Sequence, residues 1–229
     1  MVDKSASVLW DEIRRSEHLD YLKTEFTNVN GSSDRVTGVF IHENTRGAAP
    51  FLQQQHQVDC PSCKQFFAKG TRTQEQLKRK FEETNAILQG NYLHQIVSAL
   101  EEPNTKQTNR QTDIWGSIEV MSSFFASSRE SEDNKVFFLS DMLESSIGKD
   151  RRNFTRNPPR NKAEAMAFAK ADLNWINGEL QYDPTTLKKL QIVVLGNNTT
   201  TDNNSFALVK IYWQSLFSSL GVEKNLIFR

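Results

Sequence analysis

Cysteine, net charge and long apolar runs are all scarce in this chain of 229 residues. Its two cysteines, Cys60 and Cys63, are too few for the disulfide framework of a small secreted protein. Its 28 basic and 28 acidic residues cancel, so no net field draws nucleic acid or an anionic membrane to the surface. We therefore expect another protein, rather than nucleic acid, as the partner.

Membrane and export signals are missing from the sequence as well. No segment approaches the roughly 18 apolar residues of a spanning helix, so we expect no membrane span. The N-terminus lacks a basic region followed by an apolar one. We expect a cytoplasmic protein, or one whose export signal has been removed.

The short motifs of several enzyme classes are also absent. There is no phosphate-binding Gly-x-x-x-x-Gly-Lys-Ser/Thr loop, no Gly-x-Ser-x-Gly nucleophile turn and no His-Glu-x-x-His zinc motif. The four histidines are scattered, without a recognisable nucleophile beside them. These absences favour a binding role over catalysis.

What the sequence does contain is an alternation of apolar strands and amphipathic helices. Residues 36–41, 136–139 and 190–196 are strand-like runs of the kind that are buried on both faces of a parallel sheet. Helical spacing of apolar residues fills the segments between them. This predicts an α/β fold in three layers, with a central, mostly parallel sheet flanked by helices. We assign residues 1–34 to an N-terminal helical extension and 35–229 to one domain, with a loop insertion at about 48–72.

Polar residues follow the predicted strands and open one of the helices. Residues 43–47 come after the first strand, Thr112 stands in a loop before a helix, and Ser140 and Asp141 end the run at 136–139. This order of strands, helices and polar turns resembles that of a von Willebrand factor A (vWA) domain of Rossmann type. The resemblance covers most of residues 35–229.

A metal-ion-dependent adhesion site is what the resemblance implies at these turns. In that family an Asp-x-Ser-x-Ser turn, a Thr from a second loop and an Asp from a third bind a divalent cation. Here Glu43 and Thr45 stand at the Asp and first Ser positions, and Gly47 replaces the second Ser. Thr112 and Asp141 match the other two positions. The resemblance thus implies a degenerate site for Mg²⁺ or Mn²⁺, whose preferred ligands are oxygens.

Two other interpretations of the same residues stay open. Shifting the alignment by one residue puts His42, Asn44 and Arg46 in the turn, where a guanidinium would repel the cation. Alternatively, Thr112 or its neighbour caps a helix and Asp141 is an ordinary turn residue.

A second candidate metal site contains the cysteine pair. His56, Cys60 and Cys63 have the spacing of three zinc ligands. A fourth ligand would come from one of three residues, His42, His94 or Asp59. The same Cys-x-x-Cys pair also suits a disulfide or redox couple, or two plain thiols.

Four arginines, Arg151, Arg152, Arg156 and Arg160, lie in a segment rich in Pro and Asn. They are candidate partner-binding residues, although such a run is also typical of a solvated loop. The resemblance implies a non-enzymatic protein–protein interaction module within a multi-protein assembly. Two alternatives remain: a small metal-dependent phosphoester hydrolase that uses His42, Glu43 and Asp141, or a zinc-stabilised adaptor.

Overall fold

The computed structural model of the chain describes residues 1–4, 12–29, 34–55, 71–101, 111–128, 133–146, 150–196, 203–222 and 226–229. Its strands are β1 Val2–Asp3, β2 Arg35–Ile41, β3 Pro50–Gln55, β4 Asn134–Leu139, β5 Leu190–Leu195 and β6 Leu226–Phe228. They form one sheet in the order β3-β2-β1-β4-β5-β6. The pairs β1–β2, β1–β4, β4–β5 and β5–β6 are parallel. The predicted α/β class with a mostly parallel sheet is therefore confirmed.

The helices are α1 Glu12–Phe26, α2 Thr71–Glu101, α3 Gly116–Phe125, α4 Lys162–Glu179, α5 Pro184–Leu187 and α6 Asn203–Ser219, and Thr45–Gly47 forms a 3-10 helix. Together with the sheet they are consistent with the three layers predicted. Among the helices of the described residues, none has the length and apolar character needed to cross a membrane.

Two compact units divide the chain. The first consists of Met1–Trp10, Val39–Ala49 and Asn104–Arg229. The second consists of Asp11–Gly38 and Pro50–Pro103. Residues 35–38 of β2 belong to the second unit, and residues 39–41 belong to the first.

The first unit has its core around β4 and β5, which pair along their whole length from Asn134↔Leu190 to Leu139↔Leu195. Residues 192–195 of β5 are all 0% exposed. A parallel strand covered on both faces is a continuous apolar run, which is why the sequence revealed it. Helices α4 and α6 pack together in this unit, and Trp213 of α6 is fully buried.

The second unit contains the pair α1 and α2. The rings of Phe26 and Tyr92 meet edge to face with centroids 6.1 Å apart. Gln89 Nε2 donates to the carbonyl of Val29 just beyond α1, at 3.0 Å. Helix α2 continues through Gly90 without a break. Strand β3 lies within the stretch predicted as a loop insertion.

The N-terminal segment begins with a strand rather than a helix. In β1, Val2 is paired with both Phe40 of β2 and Leu139 of β4, and Asp3 is paired with Ile41. Within the described residues, the helix expected in this segment spans Glu12–Phe26. A strand of two residues is too short to show any periodicity, so the sequence pattern missed it.

Candidate functional site

The carboxyl ends of β1 and β4 lie side by side in the middle of the sheet. Strands β2 and β3 lie beyond β1 on one side, and β5 and β6 lie beyond β4 on the other. Such a reversal of strand order opens a crevice where α/β proteins bind ligands. Asp3 ends β1, and Ser140 and Asp141 follow β4 directly. These three residues are 1%, 0% and 1% exposed, respectively.

Hydrogen bonds hold the two strand ends together. Ser140 Oγ donates to Asp3 Oδ2 at 2.7 Å and accepts the backbone N–H of Met142 at 2.9 Å. Asp141 Oδ1 accepts the backbone N–H of Leu143 at 3.0 Å. Met142 has a φ of 59°, in the left-handed region of backbone conformation that a residue with a Cβ adopts only at a cost in conformational energy. The chain therefore turns sharply immediately after Asp141.

Thr112 lies on the loop that enters α3 and is 0% exposed. Its backbone N–H donates to Ser145 Oγ at 2.9 Å, and its carbonyl accepts the N–H of Ser145 at 3.1 Å. Its own Oγ1 is buried and has no hydrogen-bond partner among the described residues. Leaving a buried hydroxyl unsatisfied costs about 1–3 kcal/mol. The atom is thus available to a ligand.

Asp113, beside Thr112, accepts hydrogen bonds on both carboxylate oxygens. Oδ1 receives the N–H of Gly116 at 2.8 Å, and Oδ2 receives the N–H of Thr45 at 3.2 Å. A Cβ on Gly116 would lie only 2.4 Å from Asp113 Oδ2, so a side chain there would displace the carboxylate. The backbone N–H of Asp113 donates to His42 O at 2.8 Å. Asp113 therefore joins the turn after β2 to the start of α3.

Glu144 is fully buried and accepts hydrogen bonds from the two backbone N–H groups that precede α3. Its Oε2 accepts the N–H groups of Ile114 and Trp115 at 2.7 and 3.1 Å. Burial raises the pKa of Glu144 from 4.5 to about 7, although the charge of Arg151 and these backbone bonds act in the opposite direction. A carboxylate from the segment after β4 thus caps a helix from a different loop.

Arg151 lies between these two carboxylates. Its Nη2 donates to Asp113 Oδ1 and to Glu144 Oε1, both at 2.6 Å. Its guanidinium carbon lies 4.7 and 4.8 Å from the ring centroids of Trp115 and Trp175. Burial lowers the pKa of Arg151, and the two carboxylate charges outweigh that effect and raise it above its ordinary value. The ion pairs are mostly shielded from water, since 11% of the Arg151 side chain is exposed.

The predicted ligands Glu43 and Thr45 follow β2, one strand away from the end of β1. Glu43 is exposed, whereas Thr45 is buried. Thr45 Oγ1 lies 3.3 Å from both the N–H and the carbonyl of His42. Burial lowers the pKa of His42, against the charges of Glu43 and Asp113. The structure thus brings Thr45 to Asp113, next to Thr112, but on a different strand end from Asp3 and Asp141.

The four predicted partner-binding arginines fall into two pairs. Arg151 and Arg152 bind buried carboxylates, the latter through two bonds of 2.8 and 2.6 Å to Asp172. Arg156 and Arg160 are exposed. Two of the four guanidinium groups are therefore engaged inside the protein, which their position in a basic run did not indicate.

The predicted zinc ligands His56, Cys60 and Cys63 lie outside the described residues. Within the described ranges, no group of three or more His, Cys, Asp and Glu side chains is arranged to hold a metal ion.

Sequence reasoning missed Asp3, although a signal for it was present. Asp3, Ser5 and Ser7 form an Asp-x-Ser-x-Ser pattern at residues 3–7. It was overlooked because this segment was interpreted as helical and β2 was taken for the first strand. Asp3 lies in the described part of the chain, whereas Ser5 and Ser7 do not.

Comparisons of the chain with models of protein families, with curated proteins and with solved structures found no match. What the site does therefore has to follow from its own residues.

Proposed function

We propose that this chain is a non-enzymatic protein-binding module of the vWA type, part of a multi-protein assembly, which binds an acidic side chain of its partner at the carboxyl edge of the sheet. A divalent cation would be held there by Asp3, Ser5, Ser7, Thr112 and Asp141. The observation that carries the proposal is the bond of 2.7 Å between Asp3 and Ser140, which brings the carboxylate of β1 beside the segment of Asp141.

The strand order supports the vWA-like assignment. The strand order β3-β2-β1-β4-β5-β6 matches the strand order of a doubly wound Rossmann-type sheet. In the vWA family the Asp-x-Ser-x-Ser turn follows the first strand, and here the first strand is β1. Asp3, Ser5 and Ser7 have the residue types that the family's turn requires. This assignment replaces Glu43 and Thr45, and by residue type no position of the family's turn is then lost to glycine.

The donor set suits a hard cation. Carboxylate and hydroxyl oxygens are the ligands that Mg²⁺ and Mn²⁺ prefer. Thr112 contributes a buried oxygen with no partner among the described residues, as expected for an atom that awaits a ligand. When bound, the cation supplies an open coordination position for a carboxylate from outside the chain. Asp3 and Asp141 are held in place by bonds to the protein before any ligand arrives.

Titration of the full chain with Mn²⁺, followed by calorimetry, tests the proposal. We expect one Mn²⁺ per chain, with binding lost in Asp3→Ala and Asp141→Ala. Asp133→Ala is the matched control, because Asp133 precedes the same strand β4 at its opposite end and its side chain is 70% exposed. If the wild type binds no Mn²⁺, or if Asp133→Ala weakens binding as much as Asp141→Ala, the proposal is wrong.

The hydrolase and the zinc-stabilised adaptor stay predictions, and the same protein samples separate them from a binding module. Turnover of a phosphoester that requires Mn²⁺ and is lost in Asp141→Ala would favour the hydrolase. Stoichiometric zinc in elemental analysis, lost when Cys60 and Cys63 are changed to Ala, would favour the adaptor.

A further inference from the structure

We propose that Arg151 is a positioning residue that fastens the loop of Thr112 to the segment of Asp141, so that the two proposed ligands keep one fixed arrangement. This inference rests on the proposed function. Thr112 and Asp141 come from loops that are distant in sequence, and cation binding requires their oxygens to be held together before the cation arrives.

The bridge passes through the carboxylates nearest to those ligands in sequence. Asp113 is adjacent to Thr112, and Glu144 is three residues beyond Asp141. Arg151 Nη2 lies 2.6 Å from an oxygen of each and 3.0 Å from Ser146 Oγ. One nitrogen therefore contacts the loop before α3 and two positions of the segment after β4.

Each carboxylate also holds backbone N–H groups at the entry to α3. Asp113 binds the N–H of Gly116, and Glu144 binds those of Ile114 and Trp115. If Arg151 is removed, Asp113 and Glu144 lose the donor that joins them, and each buried carboxyl group is left one hydrogen bond short. We expect water to enter between the two groups and the segments that carry Thr112 and Asp141 to separate.

Two tryptophan rings restrict the movement of the Arg151 guanidinium. Its guanidinium lies against the rings of Trp115 and Trp175, which restrict the plane of the group. A lysine would bring a single ammonium without this stacking and without the planar fork. Arg151→Lys is therefore expected to restore the charge but only part of the positioning.

The next residue, Arg152, offers a matched control. It forms two bonds to the buried Asp172 of α4 and stacks 3.9 Å from the centroid of Phe168. Its network continues from Asp172 through Tyr212 to the indole of Trp115. Arg152→Met thus breaks a buried, stacked ion pair of the same kind, whose carboxylate is on α4 and not on either ligand segment.

Backbone hydrogen exchange in the full chain without metal is the first test. In Arg151→Met we expect faster exchange both at Ile114 and at Leu143, with Arg151→Lys intermediate and Arg152→Met as the wild type at these two amides. Trp115 is left out of the comparison because the network of Arg152 reaches its indole. Exchange unchanged in Arg151→Met, changed in one segment alone, or equally changed in Arg152→Met would overturn the coupling. If Arg151→Met does not fold, as judged by its near-ultraviolet circular dichroism, Arg151→Lys carries the same comparison.

Mn²⁺ titration of the same variants is the second test. Loss of a residue that supports metal ligands typically weakens metal binding by about 10–100-fold, which we expect for Arg151→Met but not for Arg152→Met. Equal Mn²⁺ affinity in Arg151→Met and the wild type would overturn the positioning role. If the wild type itself binds no Mn²⁺, the proposed function fails, while the exchange result still decides whether Arg151 couples the two segments.

Discussion

Ser140 and Asp3, 137 residues apart in sequence, are joined by a hydrogen bond of 2.7 Å between Oγ and Oδ2 at the ends of two neighbouring parallel strands. Both residues are buried, and the same hydroxyl accepts the N–H of Met142. One small side chain therefore sets the separation of the two strand ends and the start of the turn that carries Asp141.

Replacing Ser140 by Ala should destabilise the chain measurably. A hydrogen bond to a charged group contributes about 1.5–3 kcal/mol, and the change leaves a buried carboxylate oxygen without that donor. We expect a loss of this size in the free energy of unfolding in urea, together with weaker Mn²⁺ binding. Ser123→Ala, at an exposed position of α3, is the control. A Ser140→Ala variant as stable as this control would refute the structural role of the bond.

Glu144 predicts an unusual dependence of stability on pH. Its pKa in the folded chain is about 7, above the ordinary value of 4.5, so between these values the folded chain retains a proton that the unfolded chain releases. The contribution of Glu144 to the free energy of unfolding is then full below about pH 4.5 and declines as the pH rises through 7. Urea titrations of the wild type and Glu144→Gln between about pH 4 and 8, a range that includes both pKa values, measure this contribution.

Glu144→Gln cannot titrate at this position, so the difference between the two proteins isolates the carboxyl group. We expect the wild type to lose stability relative to the variant as the pH rises. The opposite trend would mean that Arg151 dominates and that the pKa of Glu144 is lowered instead.

Met142 allows the cost of its backbone conformation to be measured. Its φ of 59° is left-handed, and its side chain is 0% exposed. Met142→Ala and Met142→Gly both lose the buried side chain, so the difference between them reports on the backbone alone. We expect the Gly variant to be more stable by about 1 kcal/mol, because a residue with a Cβ is strained in this region. Greater stability of the Ala variant in urea would show that the conformation is not strained.

The sequence alone predicted those strands whose burial requires a continuous apolar run. The runs at β4 and β5 were found because both faces of each strand are covered, and Asp141 was found because it ends such a run. Strand β1 was missed because it exists only through partners such as Phe40 and Leu139, which are distant in sequence. The proposed Asp-x-Ser-x-Ser turn at residues 3–7 was passed over for the same reason.

The arginines show a different limit of sequence reasoning. A basic run is typical of a solvated loop, and no local pattern marks Arg151 and Arg152, rather than Arg156, as the residues that form buried ion pairs. What distinguishes them is a set of buried carboxylates, Asp113 and Asp172 among them, that only the fold brings within reach. Long-range ion pairs of this kind leave no local pattern.

The position of β1 also affects how the chain is made. Its two residues are synthesised well before Leu139, which pairs with Val2 and lies more than a hundred residues further along the chain. At a synthesis rate of roughly 5–20 residues per second, on the order of ten seconds pass between the synthesis of Asp3 and that of β4. Until β4 has been synthesised, the Asp3 carboxylate has neither that neighbouring strand nor its hydrogen bond from Ser140. Nascent chains that stop before β4 would therefore contain Asp3 but no assembled site.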